Sequence, residues 1–240
     1  MKHLGLFEGI GGFSLAARWM GWETVAWVEI DQECQKVLLK NFPETKGYGD
    51  IKEFDGTKYN GQVDIITGGF PCQPFSTAGK RNGTNDNRSL WGEMFRVVKE
   101  IRPRFVVAEN VYGIVSMELD NILADLEGEG YEAETFVLPA CAVDAKHQRK
   151  RVWIIANIDG WRRDAQSCIC PVTSKRDSAN DADCTNADIR EKEKWMAEPD
   201  LVRVVYGVSR KLDKIRVKQL GNSIVPQLAF RIFKFISNVG

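Results

Sequence analysis

The sequence predicts an α/β fold, an open and largely parallel sheet with helices on both faces. Three observations carry that reading. Short apolar runs of strand length alternate with amphipathic stretches of helix length from Lys2 to Ala156, the pattern of strand–helix–strand units stacked side by side. The first run enters a glycine-rich turn that opens directly into a helical pattern. The second run ends on an acidic residue about twenty positions further on, the spacing used in nucleotide-binding crossovers. A chain of 240 residues can bury one sizeable core, and it is read as one domain with a small appendage.

In chain order, Lys2 to Phe7 is the first strand, followed by Glu8-Gly9-Ile10-Gly11-Gly12 and the helical pattern Phe13 to Met20. Such a turn lets backbone approach a nucleotide-like ligand and aims helix N–H groups at it. The strand Thr24 to Ile30 delivers Glu29, whose carboxylate can accept from ribose hydroxyls. After the helix Glu33 to Asn41, the stretch Gly49-Asp50-Ile51 offers a third ligand group. These residues point to an adenosine-containing cofactor and leave a dinucleotide and S-adenosylmethionine equally open.

Val63 to Thr67 is a buried strand that runs into GGFPCQPFS, Gly68 to Ser76. Pro71 and Pro74 fix their own φ and bias the preceding residues to extended geometry, so Cys72 is held on a stiff turn just past a strand end. Phe75 to Ser89 is rich in Gly, Asn and Ser without an apolar face, and reads as a mobile loop that either closes over a substrate or simply crosses the surface. Leu90 to Ile101 is helical, and Phe105 to Ala108 is a strand leading Glu109-Asn110-Val111 into a turn. Neighbouring parallel strands would set Cys72 beside Glu109, a candidate general acid or hydrogen-bond donor. Asn121 to Gly128 is helical, and Glu132 to Leu138 and Val152 to Ala156 are the last strands, with antiparallel pairing open to them.

From Asn157 to Met196 the periodicity dissolves into polar clusters. Cys168, Cys170 and Cys184 match no standard zinc site, so no metal is expected. Order returns at Leu201 to Tyr206, and Gly221 to Pro226 opens the helix Gln227 to Ile236, with Leu228, Ile232, Phe233 and Ile236 on one face.

The 33 basic and 33 acidic residues cancel, so net charge does not mark a nucleic-acid binder. Their distribution says more: Lys146 to Arg151 holds four basic residues and no acid, and Arg203 to Lys218 holds six against Asp213. Each run could be a solvated face, and two together could wall a phosphate-binding cleft. Six irregularly spaced cysteines argue for reduced thiols. Without a span-length apolar run or a signal peptide, a cytoplasmic protein with no membrane contact is expected.

The motifs, taken in order, resemble the DNA cytosine C5-methyltransferases of bacterial and phage type. LFEGIGGF (Leu6 to Phe13), VEID (Val28 to Asp31), GDI (Gly49 to Ile51), GGFPCQPFS, ENV (Glu109 to Val111), HQRKR (His147 to Arg151) and GNSIVPQ (Gly221 to Gln227) follow one another with that family's spacing. The resemblance implies a Rossmann-like methyltransferase sheet binding S-adenosylmethionine, with Phe7, Gly9, Gly11, Gly12, Glu29, Ile30, Asp50, Ile51 and Pro71 around the cofactor. Asn222 and Ser223 would return from the far C-terminus to complete that site. It further implies that Cys72 adds to C6 of a flipped-out cytosine while Glu109 protonates or hydrogen-bonds N3, and that Arg149 and Arg151 hold the base and the catalytic loop.

The resemblance departs at Gly5, where many members have aspartate, at Glu8, where a small residue is usual, and at His147, where many members have glutamine. The region between the HQRKR and GNS motifs is also much shorter than usual. The implied layout is a catalytic domain over 1–156, a small irregular target-recognition region over 157–212, and a segment over 213–240 that rejoins the catalytic domain. Ser76, Arg81, Arg88, Arg162 and Arg163 are the candidate DNA contacts. The expected partner is double-stranded DNA, met by a monomer, with a cognate restriction endonuclease or an accessory specificity chain as further partner classes. Two alternatives stand beside this reading: a tRNA cytosine C5-methyltransferase, and a non-catalytic DNA-binding module that keeps the fold.

Overall fold

A computed structural model describes residues 1–71, 90–145, 147–161, 215 and 218–239. Seven strands form one sheet: β1 (Lys2–Leu6), β2 (Glu23–Val28), β3 (Lys46–Tyr48), β4 (Ile65–Gly68), β5 (Phe105–Val111), β6 (Glu132–Leu138) and β7 (Arg151–Asn157). Their spatial order is β3-β2-β1-β4-β5-β7-β6. The five on the β3 side run parallel, while β7 is antiparallel to both β5 and β6.

The central strands are apolar on both faces because both faces are covered. Along β5 and β7 the side chains alternate between two cores. Val106, Ala108, Val152, Ile154 and Ala156 join the core under α3 (Trp91–Ile101) and α5 (Leu119–Gly128). Phe105, Val107, Trp153 and Ile155 join the core under α1 (Gly12–Trp19) and the C-terminal helix, Pro226–Val239. In α3 the buried residues Trp91, Met94, Val97, Val98 and Ile101 fall on one stripe at helical spacing. The helix α2 (Gln32–Asn41) begins at Asp31, whose side chain accepts from the Glu33 and Cys34 backbone N–H groups. Among the described residues, no helix is long and apolar enough to cross a membrane.

Over the described residues the elements match the sequence expectation with three differences, and the expected ordered stretch Leu201 to Tyr206 lies outside those residues. β5 does not stop at Ala108 but continues through Val111, because β7 pairs with it along its whole length, Glu109 opposite Trp153 and Val111 opposite Arg151. Glu109 and Asn110 therefore lie in a strand rather than in a turn. A third parallel strand, β3, appears at Lys46–Tyr48, too short to show a period by itself. A short helix, α4 (Ile114–Met117), precedes α5.

Polar side chains are also buried inside this sheet, and one of them links three strands. His3 on β1 places Nδ1 3.0 Å from the Thr24 hydroxyl on β2 and Nε2 2.8 Å from the Thr67 hydroxyl on β4, linking three strands through one ring. Burial pushes its pKa down to about 3. The unfolded chain takes up a proton as pH falls through the ordinary histidine range, and the folded chain does not. Stability from this group is therefore present above that range and lost as pH falls. Over a drop from about pH 7.5 to about pH 5, urea unfolding should show the native chain losing about 2 kcal/mol more than His3→Gln, which keeps a hydrogen-bonding side chain but cannot titrate.

Candidate active site

One level of the sheet sets the position of the loops that follow the five parallel strands. Tyr48 pairs with Val28, Val28 with Leu6, Leu6 with Gly68, and Gly68 with Ala108, so five parallel strands reach the same height. Immediately beyond that row come Gly49-Asp50, Glu29-Ile30, Phe7, Gly69-Phe70-Pro71 and Glu109-Asn110. These residues line one cavity of about 640 Å³ at the C-terminal edge of the parallel strands, where ligands bind in open α/β sheets. Because β7 is antiparallel, its N-terminal end faces the same edge and brings Arg149 and Arg151 to the cavity.

Polar bonds hold the loops to one another. At the β1 end the chain turns sharply, with Phe7 at φ 52° and Gly9 at φ 59°. The Glu29 carboxylate bridges this turn to its own: Oε2 accepts from the Gly9 N–H at 2.7 Å and Oε1 from the Asp31 N–H at 2.8 Å. Asp50 caps the single turn Ile51–Glu53 by accepting from the Lys52 N–H. Arg96 on α3 fastens that turn from behind, donating to the carbonyls of Ile51 at 2.7 Å and Phe54 at 3.1 Å while pairing with Glu93 and Glu100. The turn that carries Asp50 is thus fixed to the helix that follows the Cys72 segment.

On the other side of the cavity, Glu109 is 9% exposed and its Oε1 lies 3.3 Å from Arg151 Nε. Burial pushes the carboxyl up to about 7, against the pull of the Arg151 and Arg149 charges. The group can therefore hold or release a proton near neutral pH, as a general acid or base requires. Its neighbour Asn110 donates from Nδ2 to the Phe70 carbonyl at 3.0 Å. This bond ties β5 to the start of the turn that leads to Cys72.

The far C-terminus closes the site. Gly12 has no side chain, and a Cβ there would stand 2.6 Å from Ile224 Cγ1, so the C-terminal segment packs directly on the start of α1. Gly11, at φ 94°, similarly leaves room for the Phe42 ring. Arg149 donates to the Ser223 carbonyl at 2.8 Å, and Lys218 Nζ lies 3.4 Å from Asp31.

Of the residues singled out from sequence, Phe7, Gly9, Glu29, Ile30, Asp50, Ile51, Pro71, Glu109, Arg149, Arg151 and Asn222 line the one cavity. Gly11, Gly12 and Ser223 stand behind its wall and hold its parts together. Cys72, Ser76, Arg81, Arg88, Arg162 and Arg163 lie outside the described residues, as do Cys168, Cys170 and Cys184. Among the described residues, no cluster of His, Cys, Asp or Glu is placed to hold a metal ion. Sequence reasoning missed Cys34, Asn110, Lys218 and Gln219, which line the cavity, and Arg96, which supports it. Asn110 was legible as the middle of the ENV stretch. Arg96 gave no signal, since its targets are backbone carbonyls more than forty positions away.

Comparison with known proteins agrees with this arrangement. The model of the family described as C-5 cytosine-specific DNA methylase matches residues 1–192. The Type II methyltransferase M.Eco47II of Escherichia coli is 35% identical over 204 residues, covering 79% of this chain and 48% of that protein. M.PspPI of Psychrobacter sp. (strain TA137) is 40% identical over 157 residues, covering 62% of this chain and 38% of the relative. The chain therefore spans less than half the length of these two relatives. A crystal structure of a Spodoptera frugiperda DNMT2 mutant superposes with a TM-score of 0.58 at 29% identity, covering 68% of this chain and 53% of the other.

The two arginines make a prediction about Glu109. Arg151→Met removes the nearer of the charges that oppose the effect of burial, so the Glu109 carboxyl should titrate above about 7. Its chemical shift followed by carbon NMR through a pH series reads this directly. A lower value would mean that Arg151 does not stabilise the carboxylate.

Proposed function

The chain belongs to the C-5 cytosine-specific DNA methylases, and on that premise we propose that it transfers a methyl group from S-adenosylmethionine to C5 of cytosine in double-stranded DNA. The observation that carries the proposal is Glu109: a buried carboxyl that titrates near neutrality, beside Arg151, at the end of the strand adjacent to the one leading to Cys72, on a cavity of nucleoside size.

The cavity fits an adenosine-containing methyl donor. The Glu29 carboxylate, which keeps accepting capacity beyond its two backbone bonds, would take the ribose hydroxyls. Ile30, apolar yet 67% exposed, offers an apolar contact for an adenine ring, with Asp50 and Ile51 beside it on the cavity wall. When bound, S-adenosylmethionine supplies an electrophilic methyl group.

The residues of the chain then make a cytosine reactive enough to accept it. C5 is a weak nucleophile within an aromatic ring. Cys72, as a thiolate, adds to C6, and Glu109 delivers or shares a proton at N3, so that electron density gathers at C5. Arg151 holds Glu109 and, with Arg149, the base. C5 would then take the methyl group, a base accepts the C5 proton as the C6–sulfur bond breaks and releases the Cys72 thiolate, and N3 returns its proton to Glu109. C6 is inaccessible inside a duplex, so the target base is flipped out, with Ser76, Arg81 and Arg88 in the segment that closes around it.

Residues 157–212 serve as the target-recognition region, with Arg162 and Arg163 as its first DNA contacts. Its opening residues lie on the catalytic sheet: Trp161 packs against Phe105 and Phe235, and its indole donates to the Glu132 carbonyl. The protein works in the cytoplasm as a monomer on DNA, with a restriction endonuclease or an accessory specificity chain as its further partner.

The test is bisulfite sequencing of DNA from cells expressing the chain, with tRNA sequenced in parallel. Methylated cytosine at a fixed DNA sequence supports the proposal, whereas modification confined to tRNA replaces its substrate and no modification of either overturns it. Cys72→Ala should abolish methyl transfer. Glu109→Gln should slow it by about 10² to 10⁴-fold. Undiminished transfer by Cys72→Ala would refute the covalent route.

A further inference from the structure

The first turn of α1 leaves backbone N–H groups without partners inside the helix, and the positive end of the helix favours an anion or a strong acceptor there. In dinucleotide-binding folds a pyrophosphate fills that place. Methyl donors of the class proposed above carry no phosphate. In this chain an acceptor comes from within: the Glu8 side chain folds back so that Oε1 accepts from the Ser14 N–H at 2.8 Å, while Gly11 at the helix cap provides no side-chain bond.

The space for that carboxyl exists only because residue 5 has no side chain. A Cβ built on Gly5 would stand 2.7 Å from the Glu8 carboxyl carbon and closer still to Oε2. Glu8 is 4% exposed, and among the described residues Oε2 has no hydrogen-bond partner. Leaving a carboxyl oxygen buried and unpaired costs free energy, so its place in the fold calls for an explanation.

We propose that Glu8 is a positioning residue for the cofactor turn, an internal carboxylate seated at the start of α1, and that Gly5 is its obligate complement. The inference rests on the adenosine-cofactor reading of the cavity. Glu8 and Glu29 divide the work around Gly9. Glu29 accepts from the Gly9 N–H on the cavity side. Glu8, whose backbone carbonyl also accepts from the Gly11 N–H at 3.1 Å, anchors the turn to the helix behind it. Burial pushes the Glu8 carboxyl up to about 7, with the Ser14 hydrogen bond pulling it down and the charge of Glu29 adding to the rise. The groups facing it are His3 on β1, whose ring lies 3.5 Å from the Gly5 Cβ position, Ser14 on α1, and Glu29 at the end of β2.

Because the Gly5 Cβ position lies against the Glu8 carboxyl, an aspartate at position 5 would return a carboxylate to the same place. The test is that exchange, read by S-adenosylhomocysteine titration calorimetry and thermal melting on the full chain, the Glu8→Ala, Glu8→Gln and Gly5→Asp variants, and the double variant Gly5→Asp/Glu8→Ala. Loss of that hydrogen bond, which leaves the Ser14 N–H unsatisfied, should weaken binding by Glu8→Ala about tenfold or more. Gly5→Asp, with two carboxyl groups in room for one, should melt below the native chain. The double variant should bind within about threefold of the native chain and melt above both single variants, and Glu8→Gln, which keeps the shape and the acceptor, should bind within about tenfold. A double variant no better than the poorer single one overturns the seat, as does native-like binding by Glu8→Ala. If the native chain itself fails to bind, the cofactor reading falls, and the exchange is still judged by melting temperature alone.

Discussion

The site depends on the parallel register of the central strands. Backbone hydrogen bonds fix Tyr48, Val28, Leu6, Gly68 and Ala108 at one height. Every residue that leaves the sheet just beyond that row is therefore delivered to the same edge, whatever its distance in sequence. A slip of one residue in a single strand would exchange its two faces and carry its loop away from the others. Burial on both sides opposes such a slip most strongly in the middle of the sheet, where β4 and β5 contribute alternate side chains to two separate apolar cores.

Register gives proximity, and a small set of polar bonds turns proximity into geometry. Glu29 joins the turns after β1 and β2, Asn110 joins β5 to the Phe70 turn, and Arg96 joins the Asp50 turn to α3. Each uses a side chain to satisfy loop backbone groups that would otherwise be left to water. These turns carry the candidate ligand groups, so local order and site shape share the same bonds. The reversal of the chain at β7 adds the arginines: an antiparallel strand is what lets Arg149 and Arg151 face an edge otherwise built from strand ends.

The two carboxyls that burial pushes up to about 7, Glu8 and Glu109, differ in their surroundings. Glu109 has cationic neighbours and opens on the cavity, the environment of a group that exchanges protons with a substrate. Glu8 is enclosed between β1 and α1 with a backbone N–H and no cation, the environment of a structural acceptor. The same residue type and the same direction of shift thus accompany different work.

The sequence by itself determined the fold class, every strand but β3 in chain order and about half of the cavity lining, because these depend on periodicity and on glycine, proline and carboxylate positions that are local features. Gly9, Glu29, Asp50 and Glu109 were legible for that reason. Tertiary structure decided what depends on pairing between distant segments. Glu109 lies in a strand because β7 binds along β5, and no pattern within FVVAENV carries that information. Gly11 and Gly12 support the wall instead of lining it, because Phe42 and Ile224 arrive from elsewhere. Gly5 and Glu8, each a departure from the family pattern when read singly, become one feature when the carboxyl of the second occupies the space left by the first. Complementarity of that kind is a relation between volumes in three dimensions, and only the folded chain brings the two volumes together.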